Sequence, residues 1–302
     1  MAKLDFVDTH VHFYDMQHPE LFYGGWQPGV PHPSLGMQIQ RTGRSWSKLA
    51  ERNYIAEDYI AETRNANVTK AVHVQAAIGT KDPVKETEWL QEAADRTGFP
   101  HGIAAYADLR GPGVQEILER HLEYPNMRGI RGPSSGDILV TPDYHRGFAL
   151  LERYNLVPSM GVPWPDMEKL RDLAASFPNI VIVVGISATF LAESPRERSE
   201  EYFAKWQRGM EIAAEADNIR CKISGLGMRD NNWTVDSIRP YVLHCIETFG
   251  ADRCFFGTNW PVDWLFSSYD AVVDAYTEII AGSSGEEQAA MFSKNAEAIY
   301  NI

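Results

Sequence analysis

The 302-residue chain has few cysteines, no excess of basic charge and no long apolar run. Its three cysteines, Cys221, Cys245 and Cys254, are odd in number and lack CxxC spacing, which argues against a disulfide framework and a cysteine-held zinc. They read as buried thiols, with a catalytic nucleophile as the alternative. Lysine and arginine number 28 against 41 acidic residues, and a formal charge of −13 offers little to nucleic acid or an anionic membrane. No apolar stretch approaches the roughly 20 residues that span a bilayer, and no basic-led apolar leader opens the chain. A cytoplasmic protein acting on a small molecule is expected, with self-association left open. A glycine-rich turn is missing too: LDFVDTH is followed by VHFYD, where a dinucleotide-binding fold would carry its phosphate loop.

What is present is a core-sized hydrophobic content of 44% and a regular alternation of short apolar runs with helix-period stretches. The runs are LDFVDTH (4–10), KAVHVQA (70–76), HGIAAYADL (101–109), MRGIR (127–131), LVPSMGV (156–162), IVIVVG (180–185), IRCKISG (219–225) and RCFFGT (253–258). Amphipathic segments at 57–68, 84–98, 114–124, 167–177 and 238–250 lie between them. Eight β-branched runs, each followed by helix, predict an α/β fold: a (β/α)8 TIM barrel formed as one domain over 1–302, with an open doubly wound sheet as the alternative. Two connections are long. Residues 13–53 hold Phe13, Tyr14, Phe22, Tyr23, Trp26 and Trp46 among glycines and prolines and read as a lid; residues 186–198 form a second excursion. An aromatic contact between subunits is the other reading of the first.

In DTHVHFYD (8–15), His10 and His12 are separated by one residue. Side chains two apart on a strand point to the same side, and two neutral imidazoles so placed suit a divalent transition metal. Together with MRGIRGP (127–133), CKISGLG (221–227), FFGTNWPVD (255–263) and NAEAIYNI (295–302), this segment resembles the amidohydrolase superfamily. The likeness is to its lactonase-like branch, which includes 2-pyrone-4,6-dicarboxylate, sulfomuconolactone and sugar-acid lactone hydrolases. It runs the length of the chain.

That resemblance implies His-x-His on the first strand, a histidine ending the sixth and an aspartate ending the eighth as metal ligand or base. His10 and His12 match. At the sixth strand the chain has Gly185 and Ile186, and at the eighth Asn259 stands where the aspartate is expected. Zinc takes roughly three or four N, O or S ligands, so no tightly bound cofactor is expected; a weakly held Zn2+ or Mn2+ on His10 and His12 is the alternative. Asn259 cannot act as a base at neutral pH, but it can orient water or donate to a carbonyl. Asp263, four residues on, either replaces the lost base or caps the next helix. Asp8 is placed deeper in the barrel, paired with an arginine or lysine. The resemblance gives Arg131 to a substrate carboxylate, an internal salt bridge being the other reading. Lys222 alternates with Ser224 on the seventh strand and needs a carboxylate partner or a depressed pKa. Gln75, Tyr14, Trp164 and Trp260 complete the candidate substrate-binding set, the two tryptophans reading equally as packing under loops. The expected function is hydrolysis of a small cyclic ester or lactone, carboxylated or not. A decarboxylase- or hydratase-type lyase and a binding relative with altered chemistry are the alternatives.

Overall fold

The computed structural model describes residues 3–24, 46–190 and 199–302. The parts of the expected lid at 25–45 and of the second excursion at 191–198, including Trp26, lie outside these. Eight parallel strands run in sequence order: β1 Phe6–Val11, β2 Val68–Val74, β3 Gly102–Tyr106, β4 Met127–Arg131, β5 Val157–Met160, β6 Ile182–Gly185, β7 Ile219–Ile223 and β8 Cys254–Phe256. Buried valine, isoleucine and phenylalanine fill them, as strands covered on both faces require. The ends of β1 and β8 close the ring. Val11 bridges Trp260 in parallel, the His12 amide donates to the Trp260 carbonyl at 2.7 Å, and Thr9 Oγ1 donates to the Phe256 carbonyl at 2.7 Å. This is the expected (β/α)8 barrel.

The helices that cover it are α1 Ala56–Thr63, α2 Val84–Thr97, α3 Val114–His121, α4 Pro142–Tyr154, α5 Met167–Ser176, α6 Glu200–Ala214, α7 Val235–Phe249, α8 Tyr269–Ile279, the short α9 Gly285–Ala289 and α10 Asn295–Tyr300. Their ends follow local chemistry. Thr141 caps α4, whose first residue is Pro142; Thr234 and Ser237 form a reciprocal capping box on α7; Ser268 caps α8. At the N-terminal mouth Val7, Val72, Val157, Val183 and Phe255 form an apolar plug that Ala296 and Tyr300 of α10 cover. No described helix is long and apolar enough to cross a membrane.

The described start of the loop after β1 is packed rather than free. Tyr14 and Tyr54 pair their backbones, Tyr23 bridges Gly79, and Phe13, Leu21 and Leu49 join the main core. The three cysteines are buried thiols, with Cys254 Sγ donating to the Cys245 carbonyl at 3.4 Å.

Candidate active site

Polar side chains gather where β1, β7 and β8 end. His10 Nδ1 lies 2.8 Å from Ser224 Oγ, just past β7, and its Nε2 is buried with no hydrogen-bond partner among the described residues. Burial first, then the charges of Lys222 and neighbouring cations, hold this imidazole well below the ordinary histidine range, so it is neutral at pH 7. The His12 ring stands 4.9 Å from that of His10. Its Nδ1 donates to the Val74 carbonyl at 2.7 Å, and its Nε2 lies 3.3 Å from Asn259 Oδ1. Burial, followed by Arg131 and His73, keeps it deprotonated as well.

Behind His12 the chain runs on to a carboxylate. Asn259 Nδ2 donates to Asp263 Oδ2 at 2.6 Å, and the Gly227 amide donates to Asp263 Oδ1 at 3.1 Å. Asp263 therefore does not cap a helix. Burial pushes its carboxyl up to about 7, against those two donors. The row has a specific proton logic. A carbonyl only accepts, so His12 bears its hydrogen on Nδ1 and a neutral ring presents a lone pair at Nε2. Asn259 Oδ1 presents another. The clash is relieved when His12 takes a second proton, or when the carboxamide turns its NH2 toward the ring. That turn is favoured when Asp263 is protonated and donates to Oδ1.

Two cations complete the group. Lys222 is buried, and its Nζ donates to Ser159 Oγ of β5 at 3.3 Å. Burial and then Arg131 bring its amine down to about 7, Asp8 opposing. Of the two states expected for a lysine in a dry barrel, this is the depressed one. Half-buried Arg131 donates through Nη1 to the Gln75 carbonyl at 3.1 Å, and its charge bears on His10, His12 and Lys222 alike.

Other candidates fall elsewhere. Asp8 forms no ion pair with an arginine or lysine among the described residues: it accepts from the Thr258 amide at 2.9 Å, Thr258 Oγ1 at 2.6 Å, Tyr269 OH at 2.9 Å and Tyr59 OH at 3.1 Å. The pairing of β1 with β2 is irregular between Asp8 and Val11, which lets Asp8 face the tyrosines of α1 and α8 while His10 faces β7. Trp260 is fully buried with Nε1 on Glu62 Oε2 at 2.9 Å, Tyr14 OH donates to the Leu49 carbonyl, and Trp164 packs against Gly209 of α6 with its indole N–H buried and without a partner among the described residues. Gln75 is buried, and its contribution to the contacts above is its backbone carbonyl.

Sequence reasoning passed over Ser159, Thr258 and Glu86. Glu86 of α2 accepts from the Ala76 and Ala77 amides at 2.8 Å each, at the end of β2, and burial raises its carboxyl to about 7. The signal was present: Glu86 shares a helix face with Leu90 and Ala93, four and seven residues on.

Among the described residues no group of three His, Cys, Asp or Glu side chains converges to hold a metal. Two imidazoles, one already facing a carboxamide, with the nearby carboxylate turned to an amide and a backbone N–H, do not fit a tightly held Zn2+ or Mn2+.

A family model described as amidohydrolase matches residues 7–302. Protein y4mH of Sinorhizobium fredii is 36% identical over 100% of both chains. An L-fucono-1,5-lactonase of Burkholderia ambifaria is 24% identical, covering 88% of this chain and 84% of that one. Among solved structures, an amidohydrolase from Burkholderia multivorans with bound HEPES has a TM-score of 0.81 at 22% identity, and its form with bound Zn scores 0.79 at 21%, each covering 99% of both chains. A barrel with paired histidines ending its first strand, matched along nearly its whole length, places this chain in the amidohydrolase family of enzymes.

Proposed function

We propose that the enzyme hydrolyses a small lactone, with His10 as the base that activates water. The observation that carries this is the buried, neutral His10 imidazole whose Nε2 has no hydrogen-bond partner among the described residues. Such a nitrogen is placed to accept a proton and later return it. Water gives a proton to Nε2 as its oxygen adds to the lactone carbonyl carbon. The tetrahedral intermediate then collapses, the ring C–O bond breaks, and the leaving alkoxide takes the proton back, giving a hydroxy acid. His12, Asn259 and Asp263 form a second proton-holding row beside it, and Arg131 suits a carboxylate or polyol edge of the substrate. The name of the Burkholderia ambifaria relative supports sugar-acid lactones as the first substrates to try.

Acid release from L-fucono-1,5-lactone, other aldonolactones and carboxylated pyrones is the direct test. The expected result is opening well above the spontaneous rate, lowered roughly 100- to 10,000-fold in His10→Gln. No opening across the panel, or full activity in His10→Gln, overturns the reading. Loss of CO2 from a carboxylated ring in place of ring opening would move the reaction to the lyase class.

A further inference from the structure

Lys222 is buried in the barrel, and among the described residues no carboxylate forms an ion pair with it, Asp8 acting on it only through its charge. Gly185 ends β6 without a side chain, and a Cβ built there would lie 3.7 Å from Lys222 Cε. The lysine stem thus fills the room next to β6 and carries Nζ from β7 across to Ser159 on β5. Two residues further along, Ser224 engages His10, so the amine and the hydroxyl that holds the proposed base lie on the same side of the chain that runs through β7. The hydrogen-bond partner of Nζ among the described residues is a neutral hydroxyl, which leaves N–H donors for an incoming anion.

We propose that the Lys222 ammonium is the electrophile of this site, binding the oxygen anion that develops when water adds to the substrate carbonyl. The proposal rests on the lactone-opening reading and deepens it: this chain meets the developing charge with an amine where its described side chains do not assemble a metal centre. A fixed positive charge in a water-poor barrel stabilises such an oxyanion strongly. Nζ is hydrogen-bonded to Ser159 of β5 and feels the charges of Arg131 from β4 and Asp8 from β1, its own charge bears on His10 of β1, and Gly185 contributes none. Burial and Arg131 draw the free amine down to about 7, so the charged form fades as pH rises through neutrality.

Binding of methanesulfonate, whose charge is constant with pH, separates this role from a structural one. Calorimetry on the wild type, Lys222→Met and Lys222→Arg at pH ~6 and pH ~8.5 should show wild-type affinity falling roughly tenfold or more between them. Lys222→Met should bind weakly at both, and Lys222→Arg, always charged, should hold its affinity at both. Arginine rescue distinguishes loss of charge from misfolding. A wild type that does not bind the anion, a flat wild-type profile, or unchanged binding in Lys222→Met overturns the proposal. On any lactone the wild type opens, Lys222→Met should lose roughly a hundredfold in kcat with a smaller change in KM. Unchanged kcat sinks the electrophile and leaves the lactone reading standing. If no lactone opens but the sulfonate pattern holds, the lactone reading falls and the anion site stands.

Discussion

At Asn259 the backbone is left-handed, with φ of 59°, a region asparagine and aspartate enter more readily than most side chains. The Asn259→Asp variant can therefore keep the turn, and its effect is electrostatic. A carboxyl there meets Asp263 Oδ2 where an amide N–H now lies 2.6 Å away, so the two acids must share a proton. The folded state then retains a proton that the unfolded chain releases above pH ~4, and stability falls as pH rises through the raised folded pKa. Urea melts should show Asn259→Asp losing roughly 2 kcal/mol more than the wild type between pH 5 and pH 8. Equal losses would mean the carboxyls do not meet. Much of this site was legible because strand alternation places His10, His12, Lys222 and Ser224 without further information. The directions of Tyr14 and Trp260 were not, since each is set by a partner far away in sequence, the Leu49 carbonyl or Glu62 of α1. Asp8 escaped because a pairing irregularity interrupts its alternation with His10.

Among the elements, α4 shows how closely the shell is fitted. A Cβ on Gly147 would stand 1.9 Å from the Leu109 carbonyl oxygen, so the helix touches the segment after β3 through bare backbone. Ala is the better helix former by about 1 kcal/mol, yet contact with an immobile carbonyl should outweigh that preference. Gly147→Ala is expected to destabilise by roughly 1–3 kcal/mol in denaturant melts; a gain would show that α4 can back away freely. The strands and five of the helices were readable from hydrophobic period, with ends off by one to a few residues. Helices α4, α6 and α8 were not singled out, although Thr141, Ser199 and Ser268 mark their starts as caps. Cap residues report where a helix begins, whereas the apolar faces of these helices depend on strands that lie elsewhere in the sequence.

For the molecule as a whole, the seam between β1 and β8 is the critical joint. Asp8 gathers Thr258, Tyr59 and Tyr269 from three separate segments, and burial raises its carboxyl even against those donors. Asp8→Ala leaves buried N–H and O–H groups without an acceptor and should cost on the order of 3 kcal/mol or more, read as a lowered melting temperature. Asp8→Asn, which keeps one accepting oxygen, should cost less; equal, negligible losses in both would remove the seam from the account. The eight-strand order was legible at this scale because every strand pairs with its sequence neighbour. The joint was not, because it links residues at opposite ends of the chain.

That joint carries a consequence for assembly in time. Asp8 and Thr258 are 250 positions apart, and Asn259 follows directly. During synthesis the paired imidazoles are made long before Asn259 and must wait, without their carboxamide or the anchor of their strand, until β8 and the turn after it have followed. Histidines made early are thus completed late.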